Sequence, residues 1–238
     1  MQMDQNLFRK IIEWYRLGLN ITLELQKKGV PQTSEILELV YDLQAGSYTK
    51  FANEKKDFLN TFTSEISQEI KPFLDPSFSV LDCGIGEATT TRLICDQLNL
   101  SSEILGIDSS WSRLSFAQAN TSGLTNIRFA VANIMQIPLQ DNSVDCAISI
   151  HAIEPNFGKE MQMISEMCRI SKKLVISIEP EFETASKEQK ARMSKLGYAR
   201  NIRSSAMSVG LQLLKVHRMN QNSSTLNKAT IFIWQKKK

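Results

Sequence analysis

The sequence predicts an α/β protein, doubly wound around a mainly parallel sheet. Three observations carry this. Residues 78–88, FSVLDCGIGEA, run from an apolar segment through an acid into closely spaced small residues. Residues 104–110, ILGIDSS, again end an apolar run in a carboxylate. Beyond them, apolar runs of strand length alternate with segments of helical spacing. A buried strand, a tight turn, a helix and a second strand ending in an acid are the sequence form of a nucleoside-binding edge.

The elements follow in order. Over 5–25, Leu7, Phe8, Ile11, Ile12, Tyr15, Leu19 and Leu23 recur at helical spacing, and Gly29-Val30-Pro31 stops that helix. Thr33 or Ser34 caps a second helix ending near Leu43, and a third spans about 55–71, before Pro72 and Pro76 lead into the first strand. These helices form an N-terminal segment, residues 1–72, expected to lie as a lid over the C-terminal edge of the sheet. Residues 73–238 form the α/β domain, with strands near 78–83, 103–107, 127–131, 144–150, 173–178, 211–218 and 228–235. Helices are expected near 87–98, 110–120, 157–170 and 186–208.

Val80 and Leu81 suit a strand buried on both faces. Gly84 and Gly86 allow a sharp turn and close approach of a ligand to the backbone. The helix that follows starts with free N–H groups, where a carboxylate is favoured, and Asp108 can accept hydrogen bonds from two ribose hydroxyls. A dinucleotide fingerprint would need glycine at position 89, where this chain has Thr89. Pyrophosphate binding is therefore disfavoured.

What stands instead is D-x-G-x-G-x-A, with Asp82 at its head, which resembles motif I of the class I S-adenosylmethionine-dependent methyltransferases. That family folds as a Rossmann-like sheet of seven strands, and the resemblance covers roughly residues 41–235. Ala88 replaces the family's usual third glycine, which would tighten the pocket around the methionine moiety. GIDSSWSRLSFAQA is similar to the second-strand segment, which implies Asp108 on the ribose and Ser109 and Trp111 beside the adenine. VANIMQIPLQDNSVD is similar to the third motif and implies that Asn133 and Ile134 meet the adenine, Asn133 offering an amide where the family has an acid. VDCAISIHAIEPNFG matches the fourth strand and the catalytic loop. YDLQAGSY (41–48), HAIEPN (151–156) and IEPEFETAS (178–186) resemble a little-studied bacterial branch with small-molecule acceptors. The implied cofactor is S-adenosyl-L-methionine, bound by Asp82, Gly84, Gly86, Asp108, Ser109, Trp111, Asn133, Ile134 and His151.

Methyl transfer from a sulfonium is an in-line displacement with its own good leaving group, so the protein chiefly positions the nucleophile and excludes water. A base is needed only for a hydroxyl or protonated amine acceptor. His151 is the first candidate, because its unperturbed pKa lies near working pH and it follows the fourth strand directly; the alternative is contact with the methionine end of the cofactor. Glu154 and Glu179, beside prolines, can bind a cationic or hydroxyl-rich acceptor. In the resemblance Tyr48 lies over the cofactor, near the methionine or the acceptor. The candidate catalytic set is His151, Glu154 and Tyr48.

Bulk properties exclude only extremes: 238 residues, a formal charge of +3 and 42% hydrophobic content. The expected partner is a small-molecule methyl acceptor such as a sugar or another biosynthetic intermediate, not a nucleic acid or a membrane. An RNA or protein methyltransferase would need a basic groove; Arg192, Lys195, Arg200 and Arg203 are either that or a solvated face. A non-catalytic cofactor-binding scaffold is the reading from another class, and a nicotinamide oxidoreductase a weaker one. Cys83, Cys95, Cys146 and Cys168 lack C-x-x-C pairing and fit buried free thiols in a reducing compartment. With no signal-peptide pattern and no membrane-length apolar run, a cytoplasmic monomer or homodimer is expected. His151 and His217 are the two histidines, and no spacing suggests a metal site.

Overall fold

The computed structural model describes residues 4–31 and 33–237. The strands are Val80–Cys83 (β1), Ile104–Asp108 (β2), Ile127–Val131 (β3), Val144–Ile150 (β4), Ser171–Pro180 (β5), Leu211–Arg218 (β6) and Ala229–Lys236 (β7). They form one sheet in the order β3-β2-β1-β4-β5-β7-β6. The pairs from β3 through β5 are parallel, and β7 inserts antiparallel between β5 and β6. Strand order reverses between β1 and β4, which leaves a crevice at their carboxyl ends, the place where such sheets bind ligands.

Among the described residues, five helices precede the sheet: Gln5–Arg16 (α1), Ile21–Lys27 (α2), Ser34–Leu43 (α3), Ser47–Glu54 (α4) and Lys56–Ile70 (α5). Five more are interleaved with the strands: Thr89–Leu98 (α6), Trp111–Asn120 (α7), Glu160–Ile170 (α8), Lys187–Leu196 (α9) and Ile202–Ser208 (α10). One face of the sheet is covered through Phe62, Ile66, Ile94, Leu98 and Leu114 of α5, α6 and α7. The other is covered through Met163, Ile164, Met167, Ile202 and Ala206 of α8 and α10. Burying one such large apolar side chain is worth about 1.5–3 kcal/mol, so the sheet is held from both sides. Ile11, Trp14, Ile21, Leu25, Ile36 and Val40 make a smaller core among α1, α2 and α3. Among the described residues, no helix is long and apolar enough to cross a membrane.

Several boundaries differ from expectation for local reasons. The helix expected over 5–25 is two helices, divided where Gly18 takes φ +66. The one expected over 186–208 is also two, because Gly197 closes α9 in the left-handed conformation at φ +67. α6 starts at Thr89 and not near 87, since Ala88 is itself left-handed at φ 56. That conformation is costly for any residue with a Cβ, and it explains why glycine is usual there.

α4 was not expected at all. Its N-cap, Gly46, has no side chain to cap with, and the cap comes from a residue distant in sequence. The buried Glu87 carboxylate accepts from the N–H groups of Gly46 (2.9 Å), Tyr48 (3.3 Å) and Thr49 (2.7 Å) and from the Thr49 hydroxyl (2.6 Å). A carboxylate at a helix N-terminus satisfies orphan donors and meets the positive end of the helix dipole. Next to it, Asp42 of α3 accepts from the Ser110 hydroxyl at 2.5 Å and the Ser112 N–H at 3.3 Å, at the start of α7. The N-terminal helices are thereby pinned over the C-terminal edge of β1 and β2.

Replacing Glu87 with Gln keeps the shape and removes the charge. Equilibrium urea unfolding of Glu87→Gln is expected to show a loss of about 1–3 kcal/mol, and hydrogen exchange is expected to accelerate in α4 and not in α8. Equal exchange in both helices would refute the capping role.

Candidate active site

The carboxyl ends of β1, β2 and β4 open into a cavity of about 290 Å³. Gly84, Asp108 and Ser109 wall one side, the segment 131–135 another, and His151 with Ala152 a third. Leu37, Tyr41 and Tyr48 from the N-terminal helices complete it.

The two glycines of motif I have different tasks. Gly84 faces the cavity at φ +82, where a Cβ would collide with the Ala152 side chain and stand 3.3 Å from Ile134 Cδ1. Gly86 is off the wall; its N–H donates to Asp108 Oδ2 at 2.9 Å. Asp108 Oδ1 accepts from the Ser110 N–H at 2.9 Å. Each oxygen keeps one lone pair for a further donor, so the carboxylate is preset for two neighbouring hydroxyls. Burial raises its pKa, opposed by these N–H bonds and by the Arg113 charge.

Ser109, Asn133 and Ile134 also line the cavity. Asn133 Oδ1 accepts from the Met135 N–H at 2.8 Å, an Asx turn, so the amide oxygen is already engaged and Nδ2 is its freer end. Trp111 does not line the cavity; as the first residue of α7 it is 63% exposed. Asp82 is buried beneath the turn and accepts from the Thr91 hydroxyl in the first turn of α6. Burial pushes its carboxyl up to about 7, with the Thr91 bond opposing and the Asp108 charge adding. Asp82 ties β1 to α6 and does not reach the cavity. Ala88 is equally buried and off the wall, so it does not narrow the pocket as expected.

His151 lies on the wall at φ 55, the left-handed region that is costly for a residue with a Cβ. Its Nδ1 is 2.6 Å from Glu154 Oε2, and its ring stacks on Phe62 at 6.2 Å between centroids. Burial alone would lower its pKa, but the charge and hydrogen bond of Glu154 and the charge of Glu179 raise it to about 9. At neutral pH the ring is therefore an imidazolium, not the poised base expected from an unperturbed histidine. Glu154 itself is off the wall.

Glu179 proves to be the scaffold of this loop. Its Oε1 accepts from the Ser149 hydroxyl (2.6 Å) and from the N–H groups of Ala152 and Ile153 (both 3.1 Å), and its Oε2 from the Glu154 N–H (3.0 Å). Burial, with the Glu154 charge adding, pushes its carboxyl up to about 7 despite those donors and His151. His151, Glu154 and Glu179 bring ligand-type atoms within 4.8 Å of one another. Glu179 has nevertheless given its oxygens to four protein donors, and the His151–Glu154 pair balances its own charge.

Tyr48 lines the cavity, half exposed, with its ring against Arg113. Sequence reasoning missed Arg113 and Glu87. The signal for Arg113 was available: it is the one charged residue in WSRLSFAQAN and falls on the apolar face with Leu114 and Ala117. Glu87 carried no local signal, since its partners lie in a helix that the sequence did not announce.

Residues 74–228, more than half of the chain, match the family model described as a methyltransferase domain. Over 95 residues the chain is 28% identical to an uncharacterized 37.1 kDa protein in transposon TN4556 of Streptomyces fradiae, a match spanning 40% of this chain and 27% of that protein. Among solved structures, a Haloferax volcanii chain in complex with the Trm112 methyltransferase activator superposes with a TM-score of 0.67 at 16% identity, covering 83% of this chain and 98% of that one. The [4+2]-cyclase SpnF gives 0.64 at 14% identity, covering 86% and 97%. The geranyl diphosphate C-methyltransferase of Streptomyces coelicolor A3(2), solved with Mg2+, geranyl diphosphate and S-adenosyl-L-homocysteine, gives 0.57 at 12% identity, covering 73% and 77%. At these identities the structural likeness speaks for the fold. With the family match spanning β1 through β6 and the cavity at the switch point of the sheet, the chain belongs to the class I S-adenosylmethionine-dependent methyltransferases.

Proposed function

We propose that the chain transfers the methyl group of S-adenosyl-L-methionine to a small-molecule acceptor held beneath a lid formed by residues 1–72. The observation that carries this is Asp108: a carboxylate on the cavity wall, fixed by two backbone N–H groups, with one lone pair per oxygen left for a ribose diol. The wall fits the cofactor in its donor set, a preset acid at Asp108 for a ribose diol with Ser109, Asn133 and Ile134 beside it for a purine. Asp108 would hold the ribose, Ser109, Asn133 and Ile134 the adenine, and Gly84 the chain between them. The cofactor supplies an electrophilic methyl and a neutral thioether leaving group.

The chain's own residues exclude water and orient the acceptor. Tyr41 and Tyr48 close the cavity from above. His151, held by Glu154 through Nδ1, leaves Nε2 to meet a ligand; below about pH 9 that nitrogen donates, and above it the ring accepts. In this reading His151 positions an acceptor oxygen or the methionine end of the cofactor at neutral pH, and acts as a base only in its neutral form.

A small acceptor is supported by the cluster that would otherwise suggest RNA. Arg203 is paired with the buried Glu181, Arg192 donates to Asn227, and Arg200 stacks on Phe157 and Phe182. Three of the four cations are engaged within the fold. The likeness to the geranyl diphosphate enzyme agrees with a small acceptor. The likeness to the Trm112 partner supports a second reading, a macromolecular acceptor with an activating subunit, and the likeness to SpnF a third, in which this fold serves other chemistry.

Incubation with methyl-tritiated S-adenosylmethionine and separated metabolite, RNA and protein fractions is expected to label the metabolites. Label confined to RNA or protein would overturn the small acceptor, and no binding of S-adenosylhomocysteine would overturn the cofactor site. In calorimetry, Asp108→Ala is expected to weaken S-adenosylhomocysteine by about 1–3 kcal/mol, the cost of leaving ribose hydroxyls unpaired; an unchanged Kd would take Asp108 off the ribose. NMR titration of the His151 ring in the unliganded protein is expected to give a midpoint near 9. Glu154→Gln should move it down towards about 6.5, and a midpoint that stays high would remove Glu154 as a cause.

A further inference from the structure

Arg113 is the one charged residue of α7, yet only 6% of it is exposed. Its guanidinium lies against two lid tyrosines, 4.8 Å from the Tyr41 ring centre and 4.6 Å from that of Tyr48. Nε donates to the Tyr41 carbonyl at 3.4 Å. That is its hydrogen bond among the described residues, out of five N–H donors. The acids around it are turned elsewhere: Asp108 to Gly86 and Ser110, Asp42 to Ser110 and Ser112, Glu87 to the start of α4. What Arg113 still exposes lines the cavity, beside the Gly86 turn, where a Cβ would stand 3.7 Å from Nη1.

A desolvated cation with no anion in hydrogen-bond contact is costly, and a guanidinium fork matches a planar carboxylate in two parallel bonds. With both rings close to its central carbon, the guanidinium offers a partner its remaining N–H groups. The alternative anion site in this crevice is closed. Thr89, at the start of α6, opens into a different cavity with Arg92 and Asn120, and the Glu87 carboxylate already occupies the space between that turn and α4.

We propose that Arg113 is the carboxylate-binding residue of the cavity, taking both oxygens of a ligand carboxylate while Tyr41 and Tyr48 hold the fork in place. The carboxylate belongs either to the amino-acid end of the cofactor or to the acceptor. The assignment rests on this cavity being the ligand site proposed above, and it gives the lid a chemical link to occupancy, since Tyr41 and Tyr48 sit on α3 and α4.

Calorimetry with S-adenosylhomocysteine and with methylthioadenosine, a nucleoside thioether lacking the amino-acid chain, separates the two sources. If the cofactor supplies the carboxylate, Arg113→Gln weakens S-adenosylhomocysteine by about 10-fold to 100-fold and methylthioadenosine by less than about twofold, with Arg113→Lys between. If S-adenosylhomocysteine affinity is unchanged, the Arg113 Nε–Hε resonance of the S-adenosylhomocysteine-loaded wild type is followed on addition of acetate and benzoate. A saturable shift that chloride does not reproduce assigns the carboxylate to the acceptor. No loss in the first arm and no shift in the second overturns the proposal. Wild-type protein that binds neither nucleoside refutes the cofactor reading instead, and the acetate titration of unliganded protein then decides on Arg113 alone. Should Arg113→Gln fail to melt cooperatively, Arg113→Lys and the wild-type resonance carry the test.

Discussion

The connection between β1 and α6 has to reverse direction in a few residues while leaving donors for a ligand, and the ligand side of the molecule depends on how it does so. Left-handed residues alternate through it: Gly84 at φ 82, Gly86 at φ 58 and Ala88 at φ 56. The alternation brings Gly84 to the cavity, lets Gly86 fix the Asp108 carboxylate, and sends Glu87 upward into the N-terminus of α4. Asp82 anchors the turn from below through Thr91. One short segment therefore sets the cradle, the acid facing it and the position of the helix above it.

A second buried carboxylate organises the opposite wall. Glu179 collects three successive backbone N–H groups from residues 152–154, and this holds His151 at a φ that an unsupported loop would relax. Glu154, with a smaller contribution from the Glu179 charge, raises the pKa of that imidazole. Backbone geometry thus rests on Glu179 and protonation state chiefly on Glu154, and the cavity wall carries two basic side chains, His151 and Arg113.

Most of the sheet was legible because strands buried on both faces must be apolar runs, and those runs are plain in residues 80–83, 104–107 and 144–150. Asp108 and Gly84 were legible because a turn and a strand end constrain residue type locally. The helix breaks at Gly18 and Gly197 were hidden because a single glycine inside a periodic pattern is compatible with either outcome. α4 was hidden because its cap is tertiary. Asp82 and Trp111 mark the limit of motif reasoning: the resemblance implied a ligand role for both, whereas the first is buried in the fold and the second is largely exposed. Arg113 belongs to no motif, and its one mark in the sequence is a lone charge on an apolar helix face.

The four cysteines are all free and all buried, and burial raises each thiol further from its reactive form. The native surface is consequently silent towards maleimide dyes and spin labels. A single cysteine placed on the outer face of α4, at the exposed Lys50, would be a background-free reporter, and the molecule comes ready for fluorescence or electron-resonance recording of the helix above its crevice.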